Sequence, residues 1–270
     1  NIICSGLKDE KSTAQIVGER LYIFDGKRPL ACDGETASFL DEKAYVPTVF
    51  ISKEPSGGGK AYEDLNLLTG YFTDSFFISE ENVAATEFQL SFAELSSAKV
   101  KAEVLDENGN WQEKKEGTDF TVDRTTGTVT FGTAPGKGPV AGEDSVKITA
   151  CKIVEGYSDR ISKCNRSIAY NSAATQNRIF VAGNPDFPNM DFWCQANNPF
   201  YFPDLDYMSV GEGKCEVVGY SIIEGQLATH IYPSFDGRSI ILRNYKIDED
   251  EETSYIGSDI SICCFLHICG

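Results

Sequence analysis

Histidine is nearly absent: the 270-residue chain carries two, His230 and His267. Imidazole is the side chain most used to move protons near neutral pH, so this shortage narrows the acid–base and metal chemistry open to the chain. Positive charge is also short. Twenty-four Lys and Arg stand against 41 Asp and Glu, a formal charge of −17, which argues against a groove for free nucleic acid. The acidity suits a solvated surface or one that docks a basic partner. No stretch reaches the roughly 18 apolar residues that span a bilayer, so no membrane partner is expected. No Gly-x-Ser-x-Gly elbow, His-Glu-x-x-His helix or Cys-x-x-Cys pair occurs, which removes the local signatures of serine hydrolases, zinc peptidases and dithiol redox sites.

The nine cysteines (4, 32, 151, 164, 194, 215, 263, 264 and 269) are scattered and odd in number. They are expected to be reduced, mostly buried thiols of a protein made in a bacterial cytoplasm, not a disulfide framework. Cys263, Cys264, His267 and Cys269 supply enough soft ligands for zinc by count. Strand alternation separates Cys264 from the others, and strand rise spaces those three about 13 Å and about 7 Å apart, so no metal is expected there. Gly57-Gly58-Gly59-Lys60 suggests a phosphate loop. That template needs a glycine where Glu54 stands and a hydroxyl where Ala61 stands, so nucleotide is not expected, and the cofactor expectation is none.

What the sequence does hold is strand grammar. Arg20-Leu21-Tyr22-Ile23-Phe24 closed by Asp25-Gly26, and Asn177-Arg178-Ile179-Phe180-Val181-Ala182 closed by Gly183-Asn184-Pro185-Asp186, share one plan of arginine, large apolar residues and a turn. Residues 226–242, with Phe235-Asp236-Gly237, repeat it loosely. Recurrent strand units of this kind suggest radially repeated sheets, as in a β-propeller. From about Phe72 the texture becomes strict alternation: Phe88, Leu90 and Phe92; Val100, Ala102 and Val104; Val146 and Ile148. Asn108-Gly109 and Gly127 mark two hairpins. Several short strands in about 80 residues fit an immunoglobulin-like sandwich. The expected organisation is therefore scaffold 1–73, an inserted sandwich 74–152 that folds by itself, and scaffold 153–270.

Gly183-Asn184-Pro185-Asp186, Asn198-Pro199-Phe200-Tyr201-Phe202-Pro203, Tyr45-Val46-Pro47-Thr48, Gly57-Gly58-Gly59 and Asn66-Leu67-Leu68-Thr69 resemble a family of phage and prophage virion proteins labelled stabilization proteins, many from tailed phages of gut Firmicutes. The resemblance covers about residues 21–242. It implies an all-β, propeller-like scaffold with an inserted β-sandwich and a non-catalytic structural role. The implied partners are other virion proteins or copies of the chain itself.

Between 183 and 203, four prolines lie among Asp, Asn and aromatic residues. Proline disfavours helix and central strand, so a long ordered loop is expected. Its rings Phe187, Phe192, Trp193, Phe200, Tyr201 and Phe202 are the candidate binding residues, either as a contact surface or as the filling of the loop. Asn165-Arg166-Ser167 matches a glycosylation acceptor by coincidence. Paired acids such as Asp204 and Asp206 leave a glycosidase or a glycan-binding module as the alternative. About 190 residues lie outside the insertion, room for at most four or so blades of about 40–50 residues. The apolar runs Ile2-Ile3-Cys4 and 260–268 are expected either to pair and close a ring or to be raw edges of a longer polypeptide.

Overall fold

The computed structural model describes residues 5, 7, 11–172, 176–210 and 215–232, and the backbone of 239–246 and 257–262. Among these residues twenty-one strands stand against one six-residue α-helix and one four-residue 3-10 turn, so the chain is all-β. Two compact units divide it: Asn1–Ala44 with Gly156–Gly270, and Tyr45–Glu155.

The first unit opens with β1 (Thr13–Val17), β2 (Arg20–Phe24), β3 (Leu30–Cys32) and β4 (Ala37–Phe39), an antiparallel sheet in chain order. Its hairpins use one device repeatedly. Asp25 Oδ1 accepts the backbone N–H of Lys27 and of Arg28, each at 3.0 Å, and Asp33 Oδ1 accepts those of Glu35 (3.1 Å) and Thr36 (2.7 Å). The 3-10 turn Leu40–Lys43 follows, with Leu40 buried.

The second unit holds β5 (Thr48–Lys53), β6 (Lys60–Ala61), β7 (Tyr71–Phe77), β8 (Glu87–Gln89), β9 (Lys101–Leu105), β10 (Trp111–Lys114), β11 (Phe120–Asp123), β12 (Thr128–Phe131) and β13 (Asp144–Cys151). A six-stranded sheet runs β10-β9-β13-β7-β5-β6 and a three-stranded sheet runs β11-β12-β8. Every pairing is antiparallel except β5 with β7. Alternation sends one face of each strand inward, and the core joins Phe72, Phe76, Val104 and Ile148 of the larger sheet to Phe88, Phe120 and Phe131 of the smaller. The unit begins at Tyr45, not at 74. A cut at 74 splits β7 and discards β5 and β6, whose pairing partners lie in the same sheet; the alternation that suggested 74 is absent from β5, where Lys53 is buried.

Both turns legible in this segment are present. Asp106 and Asp123 tie them as Asp33 ties its own, each taking two backbone N–H groups on one carboxylate oxygen. Gly127 has φ +74, and a Cβ there would lie 2.2 Å from the carbonyl oxygen of Phe92. Gly127→Ala is therefore expected to cost about 2–4 kcal/mol, from left-handed strain plus displaced backbone. Urea unfolding of the variant measures it; a loss below about 0.5 kcal/mol contradicts the packing.

The aspartate turns carry a pH dependence. Bonds from the Thr36 backbone first, then its hydroxyl, lower Asp33 from 3.8 to about 2. The Asn110 backbone lowers Asp106, and the Thr126 backbone lowers Asp123. A carboxylate depressed in the folded state stabilises fully above its unfolded pKa and loses that contribution as pH falls through the folded value. Urea midpoints are therefore expected to drop between pH 3.8 and about 2; replacing Asp33, Asp106 and Asp123 with asparagine should flatten the drop.

The chain returns to the first unit at Gly156, in the left-handed region, and enters α1 (Tyr157–Ser162). The next strand, β14 (Arg166–Tyr170), begins only after this helix. Asn184, fully buried, donates Nδ2 to the carbonyls of Asp159 (2.8 Å) and Arg160 (2.9 Å), tying the last turn of α1, where the Asp159 carbonyl also accepts the Lys163 N–H and the Arg160 carbonyl the Cys164 thiol. β14, β15 (Arg178–Ala182), β16 (Met190–Trp193) and β17 (Tyr207–Ser209) form a second sheet in chain order, and β18 (Glu216–Ile223), β19 (Gln226–Tyr232), β20 (Ser239–Lys246) and β21 (Gly257–Ile262) a third. The 183–203 stretch is thus not a continuous loop. Pro185 and Pro188 precede β16 and Pro199 and Pro203 follow it, so no proline withholds an N–H from the ladder. The expected pairing of Ile2-Ile3-Cys4 with 260–268, and the cysteine and histidine cluster at 263–269, lie outside the described residues, as does Phe235-Asp236-Gly237.

Candidate functional site

Within the first unit the first strands of the sheets stand side by side. Gln15 of β1 donates Nε2 to the carbonyl of Ser167 (2.9 Å) and accepts the N–H of Ala169 on Oε1 (2.9 Å). Its carboxamide thus occupies the edge of β14 as a peptide group of a neighbouring strand would, satisfying a donor and an acceptor that β15 does not use. Ser167 Oγ donates to Thr13 Oγ1 (2.7 Å), and Thr13 Oγ1 donates to the Asn165 carbonyl (3.3 Å). All these partners are separated by 152 or 154 residues, and an almost constant offset means that β1 and β14 run in the same direction. Arg166 Nε reaches the Val218 carbonyl (3.1 Å) and the Tyr170 hydroxyl the Gly225 carbonyl (2.7 Å), at offsets of 52 and 55. The third first strand, β18, therefore also follows β14 in parallel. Ile16 of β1 is 70% exposed, and Ile222 of β18 is 52% exposed.

Asn165 sits where the first two sheets meet. A Cβ on Gly183 would lie 2.4 Å from its Oδ1, and one on Gly26 would lie 3.3 Å from its Cβ. Arg166 Nη1 donates to the same Oδ1 at 2.7 Å. The side chain is half-buried against the backbone at Gly26 and Gly183, so the Asn165-Arg166-Ser167 stretch serves packing between these turns.

The candidate aromatic residues divide. Phe192 (1% exposed), Trp193, Tyr201 and Phe202 (0%) belong to the core and offer no contact surface. Phe187 and Phe200 are half-buried, and each lies under a guanidinium, Arg160 at 5.6 Å and Arg20 at 5.7 Å. The reading that these rings fill the fold describes four of the six.

The chemistry-bearing groups are dispersed. Asp204 accepts the Tyr157 hydroxyl at 2.9 Å, while Asp206 accepts Arg178 Nη1 at 3.3 Å, so each acid faces its own partner. Ser221 and His230 are 2.8 Å apart across the β18–β19 hairpin, and among the described residues no carboxylate bonds that imidazole. Cys32, Cys151, Cys164, Cys194 and Cys215 are free thiols. Burial pushes Cys194 up to about 12 and Cys164 higher still, which keeps both protonated and unreactive. No group of His, Cys, Asp and Glu among the described residues is placed to hold a metal, and no described helix is long and apolar enough to cross a membrane.

In the second unit an open cleft of about 500 Å³ is lined by Ser56, Asn82, Thr86, Glu87, Gln89 and Thr128 among others, with Glu87 as its one carboxylate. The same unit buries Lys53 and Asp74, with Nζ 3.0 Å from Oδ2, beside Ser91. Neither the pairing nor the direction of β5 and β7 is visible in the sequence. The only trace is an acid in the middle of the apolar and aromatic run Tyr71–Phe77.

No family model, no curated protein and no solved structure matches this chain.

Proposed function

We propose that this chain is a non-catalytic structural protein of a phage or prophage particle, acting through contacts with other virion proteins or with copies of itself. The observation that carries this reading is the row of parallel first strands β1, β14 and β18. Their sheets follow one plan of four strands in chain order, and they expose Ile16 and Ile222. A repeated sheet placed by its first strand is the plan of a propeller-like scaffold, and Tyr45–Glu155 would be its immunoglobulin-like insertion. Apolar side chains on edge strands are surface that a stable protein covers by association.

Sedimentation velocity of the full chain tests this. Association that strengthens with concentration is expected, with Ile16→Glu and Ile222→Glu weakening it at unchanged unfolding midpoint. A chain that stays monomeric, or variants that associate as the parent does, would remove the support.

The polar cleft of the second unit favours a second reading, glycan binding, because amides and hydroxyls are the groups that bond sugar hydroxyls. A single carboxylate there does not supply the acid pair that glycoside hydrolysis uses. Titration with a glycan panel, with Gln89→Ala as control, decides it: binding lost in the variant supports the reading, and no binding ends it.

A further inference from the structure

We propose that the side chains of Lys53 and Asp74 become joined by an amide bond, a covalent cross-link between β5 and β7. Lys53 Nζ lies 3.0 Å from Asp74 Oδ2, and the two side chains are 4% and 0% exposed. The strands run parallel, with Lys53 opposite Phe76 and Phe50 opposite Asp74. Nζ lies 5.4 Å from the ring centroids of both Phe50 and Phe76. Gly59 forms the other wall: it has φ +96, and a Cβ there would meet Lys53 Cγ at 2.5 Å. Glycine at this one position thus lets the backbone close over the lysine stem.

As an ion pair this arrangement is poor, because two charges lose their water among aromatic rings and the attraction often fails to repay that cost. As a reaction site it is complete. The amine and carboxyl are held in contact, which removes the entropy of encounter, and water is excluded from the bond that forms. Ser91 supplies the rest. Its Oγ accepts from Nζ at 2.8 Å and lies 2.9 Å from both carboxylate oxygens, and its backbone N–H donates to Oδ2 at 2.7 Å.

A proton first passes from the ammonium through Ser91 Oγ to Oδ1, leaving an amine and a carboxylic acid. The amine lone pair attacks Cγ, the N–C bond forms, and the negative charge gathers on Oδ2 under the Ser91 N–H. A proton from nitrogen then crosses Ser91 Oγ to Oδ1. The Cγ–Oδ1 bond breaks and water leaves. The reaction is a condensation, with nothing oxidised and no co-reactant.

Mass spectrometry of the purified full chain tests it. The expected intact mass is lighter than the sequence mass by one water, and a digest should contain a branched peptide joining Lys53 to Asp74. Lys53→Arg and Asp74→Ala should each restore the sequence mass. Ser91→Ala should slow formation by about a hundredfold, the effect of losing a positioned proton carrier. A chain of full sequence mass, with Lys53 and Asp74 in separate linear peptides, overturns the proposal. A water loss that maps elsewhere does the same, and this readout does not require any variant to fold.

Discussion

Asp74→Ala is expected to destabilise the Tyr45–Glu155 unit by about 3–5 kcal/mol, because it leaves the Lys53 ammonium buried without its carboxylate. Asp74 is fully buried, and besides Lys53 it accepts the Ser91 N–H at 2.7 Å and the Ser91 hydroxyl at 2.9 Å. Alanine therefore takes the carboxylate from three donors in one step, and the buried Lys53 ammonium keeps only the neutral Ser91 hydroxyl oxygen. The figure counts only the unpaired charge; loss of a covalent link adds to it. The double change Lys53→Met with Asp74→Leu separates the two contributions. Apolar replacements of similar volume restore most of the loss if the pair is ionic, and leave the denaturant midpoint well below the parent if it is bonded. Denaturant unfolding followed by tryptophan emission reads both, since Trp111 lies on β10 of the same sheet. A loss for Asp74→Ala under about 1 kcal/mol would mean that Lys53 finds solvent, contrary to its burial.

Phe88→Ala should cost a similar amount, about 3–5 kcal/mol. Phe88 is fully buried on the smaller sheet, with its ring 5.2 Å from that of Phe76 and 5.3 Å from that of Phe131, both near edge-on. It is one of the rings through which the two sheets of the unit touch, so its removal leaves a cavity that neither sheet fills without shifting. Phe88→Leu should recover about half of the loss, since much of the volume returns without the ring contacts. Equal midpoints for the parent and Phe88→Ala would show that the sheets do not share a core.

Much of this architecture is readable from residues. Asp25-Gly26, Asp33-Gly34, Asn108-Gly109 and Gly127 fall at turns with positive φ, and the alternating runs at 100–104 and 146–149 fall in β9 and β13. Local chemistry decides such features, and local chemistry is what a sequence displays. Four features were hidden for physical reasons. The helix α1 has one buried apolar residue, Ile161, too few to set a period. β16 was masked by flanking prolines that never enter its ladder. The parallel pairing of β5 with β7 joins segments whose relation depends on topology, so neither the unit boundary at Tyr45 nor the Lys53–Asp74 contact leaves a periodic mark. The same holds for Gln15: nothing local distinguishes a glutamine facing solvent from one whose carboxamide replaces a strand at the edge of β14.

Electron cryomicroscopy of the associated full chain tests the central claim, that this is a scaffold of repeated sheets working by contact with its own kind or with other particle proteins. The predicted image has neighbouring subunits meeting at the exposed first strands β1 and β18, with Ile16 and Ile222 inside the contact. Particles joined only through the Tyr45–Glu155 unit, or single chains with both isoleucines facing solvent, would contradict it.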